Sequence, residues 1–273
     1  MSAGQLDRAM AAIKLLAYAP QGMALGEIAE QLDLPKSGVF RLLADLVRLG
    51  LVRQDTAGGS YFLTMGLVSL AFQHLAHIGV VDAAQPVLDR LAAESAELVR
   101  LGIIDGDRQV WVAKAQGARS GLIYDAQMGD VAQLSCMASG HAWLAQLDEA
   151  EAVRLVMQQG LAGEGQYGPN APRTVSELIA VLAETSQRGY ALVVESSAPG
   201  MSAIAAPVYH PTSGLVVGTV SIGGPSVRLS RDRLEALSGF LLAAAAELSD
   251  LCAGSPYLMS AHPSAAVPES NPR

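Results

Sequence analysis

The sequence predicts an α+β chain in two parts: an N-terminal winged helix-turn-helix and a larger α/β domain behind it. Three observations predict this. The chain has 273 residues, more than one compact core ordinarily needs. Residues 5–64 hold three short helical patterns followed by two strand patterns around a glycine-rich turn. From about residue 97 onward, strand-like and helix-like runs alternate. Half of the residues are hydrophobic (51%) and only 16% are charged, so both parts have ample core material.

In residues 5–19, Leu6, Ala9, Met10, Ile13, Leu16 and Ala17 fall at helical spacing, and Pro20 with Gly22 ends that helix. Residues 24–32 read as a second, short helix with Leu25, Ile28, Ala29 and Leu32 on one face. Asp33-Leu34-Pro35 makes a turn, with Pro35 at or just before the start of a third helix that runs to about Leu49. Gly50 sits where a C-cap glycine belongs. Residues 51–54 and 61–63 are short strands around a hairpin turn at 55–59. A connecting helix is expected over about 65–78, and Pro86 is read as opening another to about 95. Strands are expected at 97–105, 109–116, 120–125, 190–195, 202–210 and 214–223, with a turn at Asp105-Gly106-Asp107. Helices are expected at 138–147, 149–158, 174–189 and 229–252. The domains expected are 1–64, a linker helix 65–80, an α/β domain 81–252, and a disordered Ser/Pro/Ala-rich tail 253–273.

The net charge of −8 is unevenly placed. Residues 1–64 carry six basic and six acidic groups, so the acidic excess belongs to the rest of the chain. Within 34–54, Lys36, Arg41, Arg48 and Arg53 face a single acid, Asp45. Such a locally basic module on an acidic body touches phosphates with one end only. Aromatic residues at 5% argue against a stacking groove for single-stranded nucleic acid. Cys136 and Cys252 form no metal-ligand or disulfide spacing and are expected reduced. With no secretion signal, and with 236–246 too short an apolar run to span a bilayer, a cytoplasmic protein without membrane contact is expected.

The third helix carries the most chemistry. Val39, Leu42, Leu43 and Leu46 make a buried stripe at i, i+3, i+4 and i+7. Lys36, Ser37, Gly38, Phe40 and Arg41 share its N-terminal part and outer face, the pattern of a helix lying in a DNA major groove. Lys36 and Arg41 reach guanine edges or phosphates, Ser37 a phosphate, and Phe40 a thymine methyl. Around the hairpin, Arg53, Gln54 and Tyr61 are candidate phosphate contacts, with Tyr61 alternatively a core residue.

Over residues 5–252 the chain resembles the IclR family of bacterial regulators. In the N-terminal part the resemblance rests on LxEIAxxLxLPKSxVxRLLxxLxxLGxV at residues 25–52. In the C-terminal part it rests on MASGHAWLAQL at 137–147, close to the family's TAxGKAxLA pattern. Further matches are RGYAL at 188–192, SSAPGMSAIAAPV at 196–208 and VSIGGP at 220–225, in family order and spacing. The resemblance implies a C-terminal GAF-like α/β effector-binding domain, and a homodimer or homotetramer on an inverted-repeat operator in double-stranded DNA. It implies a small-molecule effector contacted by Met128, Gly129, Leu134, Ala138, Ser139, Gly140, Val193, Ala203, Ser221 and Gly223. In relatives that sense small 2-oxo acids, an Asp, a Cys and two Ser line this pocket. Here Val193, Ala203, Ser221 and Gly223 match those positions, and His141 replaces the usual Lys after Gly140. Loss of three polar groups favours an aromatic or apolar carboxylic acid as effector.

No cofactor, metal site or catalytic residue is expected. His74 and His77 have no nearby Cys, and no ligand spacing joins His141, Cys136 and His210. Ser139-Gly140-His141 is not a GxSxG elbow, and phosphate-binding glycine motifs are absent. Two other classes remain open on residues alone. One is an enzyme or ligand-binding protein whose winged helix does not act on DNA, which turnover of a bound ligand would reveal. The other is a winged helix that binds protein, which a weak salt dependence would reveal.

Overall fold

The computed structural model describes residues 4–55, 59–125, 128–161, 163, 167–253 and 255. The chain divides into two compact units, Met1–Leu75 and Ala76–Arg273. The first contains α1 (Gln5–Ala17), α2 (Leu25–Gln31), α3 (Lys36–Arg48), β1 (Val52–Gln54), β2 (Tyr61–Leu63) and the start of α4 (Gly66–Ile78). Local chemistry sets most of these boundaries. The Ala24 N–H donates to the Glu27 carboxylate at 2.8 Å, half of a capping box at the start of α2. Pro35 is the N-cap of α3. At its other end the N–H groups of Gly50 and Leu51 donate to the carbonyls of Val47 and Leu46, a Schellman closure with Gly50 at φ 72°. Ile13, Leu16, Ile28, Val39, Leu42, Leu43, Leu46 and Val52 form the core. β1 and β2 pair antiparallel, Arg53 opposite Phe62, and Met23 adds a bridge to Tyr61. The hairpin tip expected at 55–59 includes residues 56–58, which lie outside the described residues.

The second unit is built on five antiparallel strands in the order β4-β3-β7-β6-β5. They are β3 (Leu98–Asp105), β4 (Arg108–Gln116), β5 (Ala191–Val194), β6 (Met201–Tyr209) and β7 (Val216–Pro225). Helices α5 (Val80–Ser95) and α9 (Arg231–Cys252) pack on each other and on the sheet. Helix α6 (Ala138–Leu144) packs on β5, β6 and β7, with α8 (Val175–Arg188) against it and α7 (Glu149–Gln159) completing a core around Trp143, Leu144 and Leu155. All ten residues of β7, the central strand, are buried, as a strand covered on both faces requires.

Three expectations are corrected. Residues 120–125 form no strand. They are a loop held by side chains, with Gln116 Nε2 donating to the Tyr124 carbonyl at 2.8 Å and Arg228 Nη1 to the Leu122 carbonyl at 2.9 Å. Pro86 lies inside α5 instead of opening it; the helix starts at Val80, directly after Gly79 at φ 73°. Helix α6 ends at Leu144, short of 147. The tail expected at 253–273 falls outside the described residues except for Ala253 and Ser255. Among the described residues no single helix is long and apolar enough to cross a membrane.

Candidate DNA-binding surface and effector cleft

In the first unit, α3 has a fully covered back and an open front. Val39, Leu42, Leu43 and Leu46 are buried, while Lys36, Ser37, Gly38, Phe40 and Arg41 are all exposed. Phe40 is 55% exposed, although burying a Phe elsewhere would be worth about 2 kcal/mol. Such exposure is tolerated where a partner surface is to be met. Arg53 and Gln54 are exposed on β1. The Arg53 guanidinium lies 4.3 Å from the centre of the Phe62 ring, which holds it against the hairpin. Tyr61 corrects its expected role: it is 3% exposed. Its N–H and carbonyl bond to Met23, and its ring lies in the core with Ile28 and Val52, out of reach of a phosphate.

In the second unit, α6 stands over one face of the sheet and leaves a cleft at its N-terminal end. Its lining comprises Arg100, Tyr124, Met137, Ala138, Ser139, Ser197, Met201, Ser202, Ala203, Ser221 and Gly223. Strand pairing explains the sheet side: Arg100 pairs with Ser221, Leu98 with Gly223, and Gly223 with Ala203, so these side chains share one face. The cleft measures about 20 Å³, room for about one water molecule.

Of the ten residues expected at an effector site, Ala138, Ser139, Ala203, Ser221 and Gly223 line this cleft. The other five do not. Val193 belongs to a small apolar cluster with Ala138, Ala142, Ala191 and Ala205. Leu134 is fully buried in the core around Trp143. Gly140 permits close packing there: a Cβ on it would lie 2.5 Å from the Leu134 Cα and carbonyl oxygen. Gly129 donates its N–H to the Trp111 carbonyl at 3.1 Å, so it and Met128 run beside β4.

Arg100 is the lining group that sequence reasoning missed. It is the sole basic residue in the lining, which contains no acidic side chain. A register shift between Leu101 and Gly102 sets Trp111, and not Val112, opposite Gly102. This bulge brings the indole to the face of Arg100, where the guanidinium stacks 3.8 Å from the ring centre. The Tyr124 ring lies 5.8 Å from it. Burial pushes the Arg100 pKa down, against the opposing influence of Tyr124 and Asp130. The signal available beforehand was one basic residue in the apolar run 98–104. Ser139 adds a second polar feature: its hydroxyl is buried and has no hydrogen-bond partner among the described residues.

His141 is buried on α6, with Nε2 at 2.9 Å from the Ser135 carbonyl. Burial lowers its pKa, and the bond to Ser135 opposes that shift. Among the described residues no group of three or more His, Cys, Asp or Glu is placed to hold a metal ion.

A winged helix-turn-helix with an exposed recognition-type helix, carried on the same chain as an α/β domain with a cleft beside α6, is the architecture of a DNA-binding regulator. The IclR helix-turn-helix domain matches residues 5–56, and the bacterial transcriptional regulator IclR C-terminal domain matches residues 72–250. The chain belongs to the IclR family of bacterial transcriptional regulators. It is 31% identical over 248 residues to the HTH-type transcriptional regulator BhcR of Paracoccus denitrificans, covering 89% of this chain and 85% of that protein. An IclR transcriptional regulator from Alicyclobacillus acidocaldarius superposes with a TM-score of 0.76 at 25% identity, covering 92% of this chain and 100% of the other. An IclR homolog from Microbacterium hydrocarbonoxydans, solved in complex with 4-hydroxybenzoate, shares the fold with a TM-score of 0.74 at 19% identity, covering 91% and 99%. The protein is thus a DNA-binding transcriptional regulator with an effector-binding C-terminal domain; its relatives are regulators, not enzymes.

Proposed function

We propose that this regulator binds an inverted-repeat operator as a homodimer or a dimer of dimers in the cytoplasm, and that an aromatic or apolar carboxylic acid in the α6 cleft alters that binding. Each α3 reads one half-site through Lys36, Ser37, Gly38, Phe40 and Arg41, while Arg53 and Gln54 grip the flanking backbone. The observation that carries this reading is the exposure of Phe40 between basic neighbours on a helix whose other face is fully packed. Val68 and Phe72, one turn apart and exposed on α4, supply an apolar face through which two copies can pair. The acid class is supported by the cation in the cleft and by the loss of the side chains that 2-oxo-acid sensors use. The complex of a structural neighbour with 4-hydroxybenzoate supports it at the level of fold.

The test begins with selection of bound fragments from sheared genomic DNA, followed by titration on the enriched site. An inverted repeat should emerge. Arg41→Ala should weaken binding and lower the slope of log K against log salt by about 1. Adding benzoate, phenylacetate or 4-hydroxybenzoate should change operator affinity, whereas glyoxylate and pyruvate should not. Recovery of no symmetric site, or a response confined to the 2-oxo acids, would overturn the corresponding half of the proposal.

A further inference from the structure

Arg100 is placed unusually for a cation. It projects from a central region of the sheet into a cleft with no carboxylate in its lining. Among the described residues no carboxylate forms an ion pair with it, and Asp130 acts on it only through space. Its planar faces meet aromatic rings, Trp111 at 3.8 Å and Tyr124 at 5.8 Å. Stacking holds the plane of a guanidinium; the Tyr124 side chain also hydrogen-bonds it, and the remaining edge N–H groups are left to donate. Arg100 is half-buried; holding a charge out of water with no carboxylate paired to it is costly, and an anionic ligand relieves that cost when it binds. The Ser139 hydroxyl, 2% exposed by residue and unpartnered, lines the same cleft and can donate to the same anion.

We propose that Arg100 is the specificity-determining residue of this cleft: its guanidinium pairs edge-on with the carboxylate of the effector, the Ser139 hydroxyl completes that site, and the rings of Trp111 and Tyr124 keep the guanidinium in plane. The ligand class is a monocarboxylate whose apolar or aromatic body displaces the thioethers of Met137 and Met201, which also line the cleft. This assignment rests on the proposed acid effector and goes beyond it, because it names the group that tells an acid from its neutral analogue.

The experiment is calorimetric titration of the full chain with benzoate and phenylacetate, and with benzamide and phenylacetamide as neutral analogues of the same shape. Wild type should bind at least one acid and neither amide. Arg100→Met should lower acid affinity by about 100-fold or more and abolish the preference for acid over amide. Arg100→Lys retains the charge without the bidentate edge and should fall between the two. Ser139→Ala, the smallest change, should weaken acid binding about 10-fold and tests the site even if Arg100→Met loses cooperative unfolding. If the acids bind wild type and Arg100→Met equally well, Arg100 is not the anchor, while the acid-effector reading survives. If neither acid binds wild type, both fail together.

Discussion

Arg228→Met tests how the second unit holds its cleft-side loop. The Glu97 side chain is 4% exposed and that of Arg228 35%. They pair through two parallel bonds, Nε to Oε1 at 2.5 Å and Nη2 to Oε2 at 2.8 Å. Backbone closes round the carboxylate: a Cβ on Gly224 would lie 2.4 Å from Glu97 Oε2. Removing Arg228 therefore strands a buried charge. For a fully buried pair the loss is about 3–5 kcal/mol; water reaching the one-third-exposed Arg argues for the lower end, about 3 kcal/mol. Replacing both partners with apolar side chains, Glu97→Leu with Arg228→Met, removes the stranded charge and should recover most of that loss. The assay is urea unfolding followed by tryptophan fluorescence. The two tryptophans of the chain, Trp111 and Trp143, both lie in the second unit, so the signal reports on that unit alone. A single-mutant loss below about 1 kcal/mol, or a double mutant as unstable as the sum of its singles, would refute the reasoning.

Gly140→Ala should cost about 3 kcal/mol or more in the same assay, or prevent folding, because the new Cβ meets backbone at 2.5 Å that no rotamer change can relieve. Burial pushes the Cys136 thiol up to about 12 and the Cys252 thiol up to about 11. Neither should react with a disulfide reagent in the native protein at pH 8, and both should react in urea; rapid native labelling would contradict this. The depressed His141 pKa means that the unfolded chain takes up the proton first. The stability this residue confers is present above its unfolded value of about 6.5 and is lost as pH falls below it. His141→Gln should flatten the stability profile between about pH 6.5 and 5, and an unchanged profile would show that the residue does not contribute.

What was legible in the sequence followed from interactions local along the chain. The stripe on α3 and the Gly50 closure depend on residues within two turns of one another, and both appear in periodicity and in a single glycine. Tyr61 was ambiguous because its environment is set by Met23, 38 positions earlier, whose bridge turns the ring inward. Residues 120–125 carry strand-like composition, but no ladder partner reaches them, and side chains of Gln116 and Arg228 take their carbonyls instead. Pro86 reads as a helix start by local propensity and is not one: packing of α5 on α9 and β4 carries the helix through it from Val80. Arg100 was hidden for a geometric reason: one extra residue in β4 decides which side of that strand faces it, and no composition rule registers a bulge.

The size of the cleft then decides what must move. At about 20 Å³ it admits nothing larger than about one water until lining groups are displaced. Helix α6 cannot yield readily, since all seven of its residues are buried and Gly140 packs at backbone distance from residue 134. Arg100, Ala203, Ser221 and Gly223 are fixed in strand ladders. The segment bearing Tyr124 differs, because Leu122 and Ile123 are exposed and side chains hold it: Gln116 donates to the Tyr124 carbonyl, Lys114 to the Asp125 carboxylate, and Arg228 to the Leu122 carbonyl. Side-chain bonds exchange with water singly, whereas ladder bonds break cooperatively, so this loop is the wall that opens at least cost. The Glu97–Arg228 pair thus serves two ends. It neutralises a buried carboxylate, and through Leu122 it sets how firmly the cleft is closed, so loss of Arg228 should speed ligand entry as well as weaken the fold.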